Sequence, residues 1–139
     1  MLKSKRYARL LRLRKSVLDE KRVQIAAWEK EKETNQLQKT HLGFQRNDAV
    51  SQASLTPLSG LTLGAYLERN ATEVAHTQRV ITRYDVLITQ GNDELFPLFQ
   101  DFKSLELLET ETLAYEKKEI ADKEQDALDD KAQYRKKAL

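Results

Sequence analysis

A chain of 139 residues with 33% charged and 7% aromatic residues and only four glycines is one domain's worth, composed like a long-helix protein without the material for a thick core. It has no cysteine, which excludes disulfides, thiolate nucleophiles and Cys-based zinc sites and fits a reducing compartment, the cytosol by default. No apolar run approaches the roughly 18 to 20 residues of a membrane span, and the start MLKSKRYARLLRLRK lacks the apolar centre of a secretory signal, so neither secretion by that route nor membrane integration is expected.

The net charge of +2 hides a polarity along the chain. Residues 1–22 carry nine Lys/Arg against Asp19 and Glu20, or +7, whereas residues 106–130 carry ten Asp/Glu against Lys117, Lys118 and Lys123, or −7. Opposite charges flanking a seam favour one helix orientation, so these segments are expected to lie side by side.

In chain order, a first helix is predicted over about 5–53, interrupted only by Gly43 at a cost of about 1 kcal/mol relative to Ala. Its apolar residues, Leu10/Leu11, Val17/Leu18, Ile25 and Trp28, thin through the polar run from Lys30 to Gln36 before Leu37, Leu42 and Phe44. Such a stripe is marginal alone and calls for a partner helix. A turn follows at 54–62, rich in Ser, Thr, Pro and Gly, with Thr62 the expected N-cap of the next helix.

The second helix is predicted over about 63–137. Leu67, Val74, Ile81, Ile88, Leu95 and Phe102 repeat every seven residues, with a weaker companion seam at Asn70, Thr77, Tyr84, Gly91, Leu98 and Leu105. A beat of 3.5 residues per turn keeps one edge against a partner helix. The fold expected is therefore all-α, a single long antiparallel two-helix coiled coil. Pairing about residue 58 sets Leu42 against Val74, Leu37 against Ile81, Trp28 against Ile88, Leu18 against Leu98 and Leu11 against Leu105.

Gly91, Asn92, Asp93 and Pro97 mark the one place where the second helix is apt to stop. Since the beat passes through them unshifted, one helix kinked near Pro97 is predicted over two separate helices. Beyond Phe102 the apolar residues jump by eleven to Leu113 and resume at Ile120, Ala127 and Tyr134, which reads as a four-residue stutter. By counting, the last twenty-odd residues of the second helix overhang the first.

Chemistry finds little purchase. Gly43, Gly60, Gly64 and Gly91 make no phosphate-binding cluster, and His41 and His76, which face each other in this pairing, have no fixed carboxylates to complete a metal site. Acids at this density on helices are solvated faces, so no catalytic residue, metal or cofactor is assigned and no enzyme is expected. The basic start also suits a surface-binding or nucleic-acid-binding helix. Neutralisation by the acidic segment makes internal pairing the simpler account, and no nucleic-acid partner is expected.

Two terminal segments carry a family likeness. The opening has the basic-apolar pattern Arg12, Leu13, Asp19, Glu20, Lys21, Arg22, and the closing helix has Phe102, Lys103, Leu108, Glu109, Asp129, Ala132, Arg135. Over about 65 residues the chain resembles the flagellar export protein FliJ family, which is related to the stalks of virulence-type secretion systems. The resemblance implies a cytoplasmic component of the type III export apparatus, peripheral to the inner membrane. Its helical hairpin would engage the export ATPase ring and the cytoplasmic domain of the export gate, with export chaperones as further partners. On this reading Lys5, Arg6, Arg9, Arg12, Tyr115, Ile120, Leu128 and Tyr134 form the ATPase end, and Leu42, Phe44, Tyr66 and Leu67 the tip that meets the gate. Pro57, Tyr66 and Pro97 depart from the family pattern, so the gate surface is assigned as a region. A coiled-coil adaptor or scaffold unrelated to export is the alternative.

Overall fold

The computed structural model describes residues 2–53 and 59–138, and all of them are helical. Helix α1 runs Leu2–Ala53 and helix α2 runs Ser59–Ala138. Both are longer than predicted at their starts. The centre of the predicted turn, 54–58, lies outside the described residues, but 59–62 already belong to α2, so Thr62 sits within the helix instead of capping it. Serine at position 59 is itself a good helix-starting residue, and no described glycine takes a positive φ, so neither Gly60 nor Gly64 interrupts the helix.

Helix α2 is unbroken through Gly91 and Pro97. Gly91 is there for packing. A Cβ at this position would lie 2.9 Å from Ile25 Cγ1 and 3.0 Å from Trp28 Cζ3, so the missing side chain makes the space that the indole occupies.

The packing divides into two compact units, one formed by Glu20–Leu95 and the other by Met1–Asp19 with Phe96–Leu139. In the first, α1 and α2 are antiparallel: Lys21 pairs with Glu94, Lys32 with Asp85 and Lys39 Nζ with Gln78 Oε1 at 2.7 Å, and Asn70 Nδ2 donates to the Leu42 carbonyl at 2.9 Å. Position numbers rise on one helix as they fall on the other, at the register expected from a centre near residue 58. Ile25, Leu42 and Ile81 are buried, together with Asn70 and Thr77, whose hydroxyl donates to the Glu73 carbonyl.

In the second unit Leu18 is buried, Leu11, Leu98, Phe102 and Leu105 are half-buried, and Ser4 Oγ donates to Glu116 Oε2 at 2.7 Å. That last pair again shows antiparallel packing, one turn further along α2 than the simple count places it.

The facing side of α2 keeps one heptad phase throughout. Leu67, Val74, Ile81, Ile88, Leu95, Phe102, Glu109 and Glu116 are all buried or half-buried, as is the companion row from Asn70 to Thr112. The predicted stutter is therefore absent. The seam continues on Glu109, Thr112 and Glu116 while Leu113 and Ile120 turn to solvent. On α1 the phase is set by Ser4, Leu11, Leu18, Ile25 and Lys32, with Tyr7, Lys21, Trp28, Asn35 and Leu42 as the companion row. Leu37 lies two residues past Asn35 and is 64% exposed, so the predicted pairing of Leu37 with Ile81 does not form.

Candidate partner-binding surfaces

With the seam located, what each helix turns outward follows from its phase. Lys5, Arg6, Arg9 and Arg12 fall at positions one, two, five and eight after Ser4, on the side of α1 away from α2. All four are exposed and none has an ion pair or hydrogen bond among the described residues. The expectation that α2 neutralises this basic start is corrected here for these residues. An arginine at such a position extends its charge into water, where a partner's carboxylates or phosphates can reach it bidentately. Leu13, 65% exposed, shares the face.

The same unit carries the far end of α2. From Lys117 to Ala138 every residue is exposed. This arm lacks the dense i,i+4 pairing of a self-sufficient solvent helix; it holds Glu119 with Lys123 at 3.9 Å and Gln125 with Asp129 at 3.2 Å, while Asp122/Asp126 and Asp126/Asp130 repel at the same spacing. Ile120, Leu128 and Tyr134 stand out from it, as does Tyr115 just before it. These residues and the basic quartet are thus brought into one unit, all facing solvent.

The predicted tip residues fare differently. Leu42 is 3% exposed and holds the seam under Asn70, so it is not available to a partner unless the helices part. Tyr66 and Leu67 are half-buried and Phe44 is exposed. Tyr66 helps line an open groove with Gln45, Asp48, Ala49, Thr62 and Leu63, which exists because the short side chains of Ala49 and Ala53 leave the seam underfilled toward its end. Leu37 and Phe44, seven apart, are both exposed on the outer side of α1.

Gln45 Nε2 donates to His41 Nε2 at 3.1 Å, and no group of three or more His, Asp or Glu side chains among the described residues is placed to hold a metal ion. No described helix is long and apolar enough to cross a membrane. No protein-family model, curated protein or solved structure matches the chain.

Proposed function

We propose that this chain is a non-enzymatic, cytoplasmic stalk of a type III protein export apparatus, which binds the export ATPase ring through the unit holding residues 1–19 and 96–139. The observation that supports this most is the outward basic quartet Lys5, Arg6, Arg9 and Arg12 in the same unit as an uncovered helical arm. A stalk in a ring meets several subunits at once, and long charged side chains reach different neighbours better than one deep apolar plug does. Phe44 and Tyr66 remain for a second partner, for which the cytoplasmic domain of the export gate is the candidate, with the apparatus placing the protein at the inner membrane; Leu67 belongs to the row that faces α1.

Such binding is weak and falls with salt, because it rests on exposed charges. The test is ATPase stimulation with a purified export ATPase. Arg6, Arg9 and Arg12 changed to Glu should remove stimulation while circular dichroism keeps its helical signal, and deletion of 117–139 should do the same. Stimulation that survives both changes and disappears with Phe44→Asp and Tyr66→Asp would reverse the orientation. Binding of duplex DNA with a steep salt dependence would instead favour a nucleic-acid partner for the basic face.

A further inference from the structure

The outer side of α1 over residues 3–17 carries more than charge. Leu10, Leu13 and Val17 are 41%, 65% and 45% exposed and stand at i, i+3 and i+7, which puts them on one line of the helix surface. Arg6, four before Leu10, heads that line. Lys5, Arg9 and Arg12 form the neighbouring line on one side, and Lys3 and Arg14 border it on the other. The first eighteen residues contain seven Lys/Arg and no acid. All seven are exposed, and none of their side chains has an ion pair among the described residues.

A row of exposed aliphatics between two rows of cations narrows what can cover it. Contacts made through charge alone, to nucleic-acid phosphates or to acidic side chains, use the arginines and leave Leu13 in water. Single-stranded nucleic acid rewards aromatic platforms, and Tyr7, the one aromatic of the segment, belongs to the row that faces α2. A bilayer containing anionic lipid uses both features. The cations meet headgroup phosphates while the aliphatics enter the acyl boundary, about 5 to 10 Å deep, and the long Lys and Arg stems reach up from that depth. The acidic stretch of α2 does not oppose this, because α2 packs on the far side of α1. With helix axes about 8 to 10 Å apart, its outward carboxylates stand roughly a Debye length further from the membrane.

We propose that residues 3–17 are a binding site for an anionic phospholipid bilayer, on which α1 lies in the plane of the surface with Leu10, Leu13 and Val17 turned into it. The contact is a surface association, since no described helix is long and apolar enough to cross a membrane. Three aliphatics on one face insert only shallowly, so the charges are needed to hold the helix down, and binding is reversible and falls with salt. Arg6, Arg9 and Arg12 are also assigned above to the ATPase ring, so bilayer and ring compete for them. The lipid site itself needs no ATPase, and its test contains none.

Co-sedimentation of the full chain with vesicles is the first measurement. The chain should pellet with phosphatidylcholine vesicles containing about one-third phosphatidylglycerol and stay in solution with phosphatidylcholine alone, and Arg6, Arg9 and Arg12 changed to Glu should abolish pelleting. Leu10→Asn combined with Leu13→Asn keeps every charge. It should weaken vesicle binding about tenfold, with circular dichroism confirming that the helices persist. Because the chain has no cysteine, an environment-sensitive dye can be attached at Leu13→Cys. Its emission should shift to the blue on anionic vesicles, whereas a dye at Thr89→Cys, an exposed site in the other unit, should not respond. Equal binding to both lipid mixtures would overturn the proposal. So would unchanged affinity of the leucine variant, or an unshifted dye at position 13, since either reduces the contact to adsorption of charge. Duplex DNA bound more tightly than the anionic vesicles would give the face to nucleic acid instead.

Discussion

The two units are built from the same two helices, yet they spend their side chains differently. The unit Glu20–Leu95 has a seam crossed by polar ties, with Lys21 on Glu94, Lys32 on Asp85, Lys39 on Gln78 and Asn70 on the Leu42 carbonyl. The unit of 1–19 with 96–139 has a plainer seam around Leu18, and it holds twelve of the seventeen large apolar residues that stand exposed among the described ones. Polar ties across a seam contribute little net stability, but they penalise every other register. Exposed apolar residues do the reverse, since they weaken solubility and are retained where another surface covers them. One unit is thus organised to hold its own register and the other to be met.

The comparison breaks most severely if the well-tied unit survives a charge in its seam. Ile81 is 5% exposed. Ile81→Asp removes a buried aliphatic and buries a carboxylate, at a cost of more than about 4 kcal/mol, and should abolish the helical circular dichroism contributed by residues 20–95. Retained helicity and an unchanged melting curve would show that the seam is not what holds this unit.

A middle-sized effect separates seam from surface inside the other unit. Leu18→Ala, at 2% exposure, should lower stability by about 2 to 4 kcal/mol. Leu113→Ala, at 40% exposure, should stay under about 1 kcal/mol. Urea melts of the two variants give both numbers. Equal losses would restore the stutter and put Leu113 back on the seam.

The smallest effect sharpens the contrast by sign. Gly43 has nothing within 4 Å of a Cβ, so Gly43→Ala should raise stability by about 1 kcal/mol through helix propensity alone. Gly91→Ala gains the same propensity and drives a methyl into Ile25 and Trp28. Its net effect should be a loss of about 1 kcal/mol. Thermal melts suffice, and a stabilised Gly91→Ala would mean that the indole does not need the gap.

The sequence made the hairpin legible because Leu67 to Phe102 kept an apolar residue at every seventh position, and a repeat that long has no other economical reading. It misled where the seam stopped being apolar. Glu109 and Glu116 hold the facing positions, both half-buried and Glu116 bonded to Ser4, so a search for leucines shifted to Leu113 and invented a stutter. On α1 the seam passes through Lys32 and Asn35, and Leu37 and Phe44 look more like core than either. Gly91 read as a stop because local propensity sees only its backbone; Trp28, sixty-three positions earlier, is the reason it is there. The basic and acidic ends were correctly seen as opposite in sign, but total charge carries no information on which face of a helix bears it. Only the phase of Ser4, Leu11 and Leu18 turns Arg6, Arg9 and Arg12 outward.

The indole of Trp28 seated over Gly91 also fixes how the paired helices of that unit respond to load. A tooth in a notch resists sliding in both directions: moving α1 by one turn along α2 would carry the ring from the glycine onto Ile88 on one side or Leu95 on the other, each of which already fills its place. The buried amide of Asn70 would at the same time lose the Leu42 carbonyl. A push or pull delivered along one helix is therefore passed to the other with little slip, so that residues 20–95 behave under tension as a single strut whose two strands share the force.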